Sequence, residues 1–165
     1  MTKRDTIVIG ASAGGVQALT ELVAALPADL PAAVFIVLHI PPNAPSLLPA
    51  ILARDASLPV AHAVNGEKIQ MGRVYVARAD HHLMIEDGHI KLVHGPKENL
   101  HRPSIDALFR SAARWRGPRV IGVVLTGARA DGTIGMRAIK ECGGLTIVQD
   151  PSEAQFPSMP LSVMQ

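Results

Sequence analysis

The chain has 165 residues, of which 48% are hydrophobic and 18% charged, so it encodes a folded domain and not a disordered segment. The formal charge of +2 and an aromatic content of 3% exclude the basic stripe and stacking platform of a nucleic-acid binder. No apolar run approaches the ~20 residues that span a bilayer, and the apolar stretch near the start is too short for a secretory signal. A cytoplasmic protein without membrane insertion is therefore expected. The single cysteine, Cys142, fits a reducing compartment and reads as a small buried hydrophobe near a helix end.

The first element is an apolar run, TIVIG at 6–10, ending in glycines. Residues 14–26 follow with helical spacing of Val16, Leu19, Leu22, Val23 and Leu26, and Pro27 and Pro31 break the pattern. VFIVL at 34–38 is a second fully apolar strand, completing a β-α-β unit with parallel strands. Residues 46–54 read as a short helix with Ser46 as its N-cap, and residues 60–64 as a third strand.

Residues 72–95 alternate more, and Asp87-Gly88 signals a tight turn, so this stretch is expected to be an antiparallel hairpin interrupting the α/β order. Residues 104–115 form a helix capped by Ser104, residues 120–126 a strand, and residues 133–142 a helix closed by Gly143-Gly144. Residues 145–149 are a last strand, and the remainder begins a helix at most. The expected fold is a single α/β domain over 1–165, three-layered and doubly wound, with a mainly parallel sheet and a hairpin insertion. A closing strand is missing, so a truncated C-terminus is expected.

In such a sheet, ligands bind beyond the carboxyl ends of the strands. Ser12 falls there after the first strand, in Gly10-Ala11-Ser12-Ala13-Gly14-Gly15. His39 ends the second strand, and Asp131 lies in the loop after residues 120–126. The first segment reads G-x-S-x-G, a spacing that lifts a serine hydroxyl above the sheet next to free helix N–H groups. The same letters fit a structural turn or a phosphate-cradling turn of a dinucleotide site. The dinucleotide pattern expects an acidic residue ending the second strand, and this chain has His39 there.

His39 in an apolar strand can be a core residue, and Asp131 can simply cap the helix beginning near residue 133. Strands about 5 Å apart nevertheless allow Ser12 and His39 to meet, with Asp131 holding the imidazole. The order Ser, His, Asp differs from the α/β-hydrolase order. His62, His81, His82, His89, His94 and His101 show no metal-ligand spacing, and His81 and His82 read as solvated.

Six blocks in order, IVIGASAGG, VLHIPPN, VYVARADHHLMI, HRPSIDALF, VVLTGARADGTIGM and IVQDPSEAQFPSMP, resemble the catalytic domain of the chemotaxis protein-glutamate methylesterases, the CheB family. The resemblance implies a triad of Ser12, His39 and Asp131 that hydrolyses glutamate methyl esters on chemoreceptors, with receptor glutamine deamidation as a second activity. It implies no cofactor and no metal. The oxyanion would be held by the backbone N–H groups of Ala13 and Ala128, and His101, Arg102 and Arg129 would border the cleft.

Departures from the family pattern are Ala13 in place of threonine, and Ala128 and Arg129 in place of methionine and glycine in T-G-M-G-x-D-G. The receiver domain typical of the family does not precede the first strand, so a separate or fused regulatory domain is expected. Two other readings stay open: a nucleotide-binding module, and a non-catalytic docking domain with Arg129 across the cleft.

Overall fold

The computed structural model describes residues 2–165. Six strands form one parallel sheet: β1 (Thr6–Ala11), β2 (Ala33–Leu38), β3 (Val60–His62), β4 (Arg73–Val76), β7 (Val120–Val124) and β8 (Leu145–Val148). Their order is β3-β4-β2-β1-β7-β8. The sheet is parallel because its strands are linked by helical crossovers and filled with aliphatic side chains on both faces. All six residues of β2, AVFIVL, are buried.

Helices cover both faces. On one side α1 (Gly15–Ala24) and α2 (Leu48–Ala53) set Leu19, Val23, Leu48 and Leu52 against Ile9, Val34, Ile36 and Val76. On the other, α3 (Ile105–Arg116) and α4 (Thr133–Glu141) set Ile105, Leu108, Phe109 and Ile139 against Val8, Phe35 and Tyr75. Phe35 and Tyr75 stack with ring centroids 5.2 Å apart. A separate antiparallel pair, β5 (His82–Glu86) and β6 (His89–Val93), lays Leu83, Ile85 and Ile90 on the α3 side of the core. The chain closes with α5 (Ser158–Met164).

The three-layer fold with its hairpin matches the sequence expectation, with five local corrections. Residues 73–76 are not part of the hairpin. They pair in parallel with β2 and β3, because Val74 and Val76 feed one core and Tyr75 the other. The second helix starts at Leu48 with Leu47 as its cap residue, so Ser46 caps nothing. Ser104 does occupy the cap position of α3, but its hydroxyl donates to Asp131 and not to its own helix. His82 is 3% exposed, held by Pro96 O and the Ser104 N–H. Cys142 is exposed at the C-cap of α4.

The strand order reverses between β2 and β7 on either side of β1, which opens a crevice above the carboxyl end of β1. Backbone pairing continues past the strand ends there. The His39 N–H donates to Ala11 O at 3.2 Å, and the Ser12 N–H to Thr126 O at 3.0 Å.

Helices α3 and α4 approach closely at Gly135, where an added Cβ would stand 2.4 Å from Phe109 Cβ. Alanine normally favours a helix over glycine by ~1 kcal/mol. Gly135→Ala is nevertheless expected to lower stability in urea unfolding by about 2 kcal/mol, because overpacking outweighs propensity.

Candidate active site

Ser12 follows β1 in a tight turn in which its carbonyl accepts the Gly15 N–H at 2.8 Å. Gly14 makes that turn in the left-handed region, at φ 76°, and a side chain there would also strike Gln155. The Thr126 hydroxyl donates to the Ala13 carbonyl at 3.0 Å. Among the described residues, the N–H groups of Ala13 and Ala128 donate to no protein acceptor. The neighbouring Gly127 and Arg129 N–H groups are occupied by Phe156 O and Ser158 Oγ.

His39 follows β2 directly, with its ring between two shallow hollows. One of about 310 Å³ is bordered by Ser12, Val16, His39, Ile40 and Gln155. The other, of about 300 Å³, is bordered by His39, Pro41, Pro42, Leu100, His101 and Arg102. His39 Nε2 lies 2.7 Å from Asp131 Oδ2. An ionised carboxylate can only accept, so Nε2 carries the proton and Nδ1 the lone pair. Nδ1 is buried and makes no hydrogen bond, and none joins it to Ser12 Oγ. Catalytic hydrogen bonds of this type commonly tighten only when substrate is seated.

Asp131 is 1% exposed and receives five donors: His39 Nε2, Asn99 Nδ2, Ser104 Oγ, and the N–H groups of Ile105 and Asp106. Burial opposes its ionisation most strongly. The bonds from His39, Ile105, Asp106 and Asn99 together outweigh that penalty and hold its pKa at about 2. The two backbone donors open α3, so Asp131 caps α3 and not the helix that follows it.

Asp106 does the converse. It accepts the Gly132 and Gly135 N–H groups at the start of α4 at 3.1 and 2.7 Å. Burial, with Asp131 charged nearby, raises its pKa. Asn99 Nδ2 bridges the two carboxylates at 2.8 Å from each.

The ring of His101 stacks on that of His39, with centroids 3.5 Å apart and planes 6° from parallel. Arg102 borders the same hollow, but its guanidinium is committed to Asp80 Oδ1 and Gly95 O, each at 2.8 Å. Arg129 is exposed, at φ 70°, a conformation that glycine adopts without strain. Asn99, Ser104 and Asp106 were not singled out as site residues from the sequence. Asn99 and Ser104 flank His101, and Ser104 and Asp106 lie inside the HRPSIDALF block, which was the available signal. Among the described residues no group of three or more His, Cys, Asp and Glu is gathered to hold a metal, and no helix is long and apolar enough to cross a membrane.

The class so defined is a doubly wound α/β protein with serine, histidine and buried aspartate on three loops at one end of its sheet. The chain belongs to the CheB methylesterase family, whose model matches residues 7–165. It is 41% identical over 98% of its length to protein-glutamate methylesterase/protein-glutamine glutaminase 2 of Methanosarcina mazei, covering 46% of that protein. It is 40% identical to a putative protein-glutamate methylesterase/protein-glutamine glutaminase of Leptospira interrogans, covering 98% of this chain and 84% of that one.

The crystal structure of the Thermotoga maritima CheB methylesterase catalytic domain superposes with a TM-score of 0.92 at 34% identity, covering 99% of this chain and 88% of that one. The chain spans about half the length of the relatives from Methanosarcina mazei and Myxococcus xanthus, 46% and 48% respectively.

The low pKa of Asp131 has a measurable consequence. A folded-state pKa of about 2 against the ordinary 3.8 contributes about 2 kcal/mol of stability. That stability is fully present above pH ~4 and is lost as pH falls through about 2. Urea unfolding of Asp131→Asn beside the parent chain is expected to show a gap at neutral pH that narrows as pH falls from 4 toward 2. Arg129→Gly is expected to raise unfolding stability by about 1 kcal/mol through relief of the left-handed backbone.

Proposed function

We propose that this chain is a serine hydrolase that removes methyl esters from glutamate side chains of chemoreceptors, with deamidation of receptor glutamines as a second activity. The observation that carries this reading is the His39–Asp131 contact, which leaves the lone pair on Nδ1, without a hydrogen-bond partner, in a ring that borders the same hollow as Ser12. Family membership and the names of the relatives support the choice of ester.

In the proposed reaction Ser12 Oγ attacks the ester carbonyl carbon while His39 Nδ1 takes the hydroxyl proton. The carbonyl oxygen, now an anion, lies against the unused N–H groups of Ala13 and Ala128, where the start of α1 adds its dipole. The C–O bond to the methoxy group breaks, and His39 passes its proton to that oxygen, so methanol leaves. Water then attacks acyl-Ser12 with His39 again as base, which frees glutamate and restores the serine. Asp131 stays ionised throughout and stabilises the imidazolium that forms in each half. An amide in place of the ester would release ammonia by the same steps.

Shallow hollows suit an ester carried on a protein surface. The dinucleotide reading is disfavoured by Gln155, whose side chain already covers Gly14 in the turn a pyrophosphate would approach. In this reading the domain acts in the cytoplasm on a methylated receptor, and a regulatory domain, fused or separate, controls access to the site.

The expected outcome for Ser12→Ala is complete loss of methanol release from a methylated receptor preparation, with circular dichroism and urea midpoint unchanged. Release at the parent rate by that variant would falsify the reading.

A further inference from the structure

Three features outside the triad stand out. A hollow between the β5–β6 hairpin and α3, bordered by Met84, Lys91, Arg114 and Trp115, has nothing against it that identifies an occupant. Asn99 bridges two carboxylates, which the capping of α3 and α4 already explains. His101 is the feature that neither packing nor the reaction steps use.

We propose that His101 is a positioning residue for His39, a neutral imidazole whose stacked face fixes the catalytic ring and accommodates the charge that ring acquires in each half-reaction. The inference rests on the esterase reading above and deepens it by assigning a fourth side chain to the site.

The geometry carries the proposal. Two imidazoles 3.5 Å apart and nearly coplanar in orientation leave no room for water between them, so one face of His39 is covered by an aromatic surface. Together with the Nε2 bond to Asp131, that contact removes rotation about the Cβ–Cγ axis of His39. The ring, which borders the Ser12 hollow, is then held in one orientation before substrate arrives. A neutral ring presents its negative π face to the imidazolium. A protonated His101 would instead set two cations in van der Waals contact.

Neutrality follows from the surroundings. His101 Nε2 is buried with no hydrogen-bond partner, so adding a proton there would bury an unsatisfied N–H. Burial first, and then the charge of His39, push the His101 pKa below the ordinary imidazole value. Arg129 and Lys97 act in the same direction, and Asp131 opposes them. The loop that carries His101 is stiff for a reason consistent with this role. Asn99 and Leu100 both hold left-handed backbone, at φ 52° and 71°, and His101 pairs through both backbone groups with Glu98. Such strain persists only where the surroundings over-determine the conformation.

The test compares the parent chain with His101→Ala and His101→Phe. The readouts are the rate of Ser12 labelling by a fluorophosphonate, and kcat and KM for methanol release from a receptor fragment carrying methylated glutamates. His101→Ala is expected to lower kcat and the labelling rate by about 10- to 100-fold with KM little changed. His101→Phe keeps a flat face and is expected to retain activity within about threefold.

The pH profile separates this role from a merely structural one. In the parent chain both rings must be neutral, so the acid limb of log kcat/KM steepens toward a slope of about two, whereas His101→Phe is expected to stay near one. Unchanged kcat in His101→Ala, or equal losses in both variants, overturns the proposal while leaving the esterase reading intact. A parent chain that neither labels nor releases methanol overturns both.

Discussion

Two buried carboxylates that exchange helix caps hold this molecule together at its working end. Asp131 comes from the residue before the cap of α4 and accepts the first N–H groups of α3. Asp106, from the first turn of α3, accepts the first N–H groups of α4. Each helix start leaves four N–H groups without an intrahelical partner, and here two at each start are served by the carboxylate associated with the other helix. Neither helix N-terminus can be moved without stranding an acid in the core. Two like charges so placed repel, and burial penalises both. Asn99 offsets part of the repulsion by donating from its one amide nitrogen to both. The asymmetry of the outcome matters for chemistry. Asp131 collects five donors and stays ionised, while the pKa of Asp106 rises.

That arrangement makes the aspartate of the site part of the fold. A carboxylate with both oxygens committed to backbone N–H groups cannot rotate, so the direction in which Oδ2 faces His39 is set by helix packing. Ser12 and His39 are held comparably, since each lies one residue past a strand and its N–H continues the sheet ladder to the next loop. All three side chains therefore project from backbone that the sheet and two helix starts fix in place. Preorganisation of this kind is the main source of electrostatic stabilisation in enzyme sites, because the dipoles need no reorientation as charge develops.

The sequence made the layers legible, because buried parallel strands read as unbroken aliphatic runs and the helices between them carry 3.6-residue spacing. It misread residues 73–76 because Arg73-Val74-Tyr75-Val76 alternates like a hairpin strand. In the structure both faces of that strand are buried, and Tyr75 fits a core because its hydroxyl accepts the Gln70 N–H. His82 looked solvated beside His81, but its two ring nitrogens meet backbone partners 14 and 22 positions away, a pairing no local pattern encodes. That Ser12, His39 and Asp131 lie at one end of the sheet was legible because each follows a strand. The roles of Asn99, Ser104 and Asp106 were not, since they depend on which helix start faces which loop. Asp131 was read as a possible cap for its own helix, and the error was one of partner and not of chemistry.

The rim follows different physics from the floor. Val16 at 43% and Leu100 at 72% exposure are apolar groups standing in water, one at the border of each hollow. In the proposed reaction the oxyanion and the imidazolium form in hollows open to solvent, where hydrogen bonds and charges are weak. A protein substrate laid across those apolar groups would expel that water itself, and the N–H groups of Ala13 and Ala128 would act in a drier medium only while it stayed docked. A small ester would not cover the rim, so the same triad would serve it poorly. If the proposed reaction holds, selectivity for an ester borne on a folded surface would follow from the shallowness of the site.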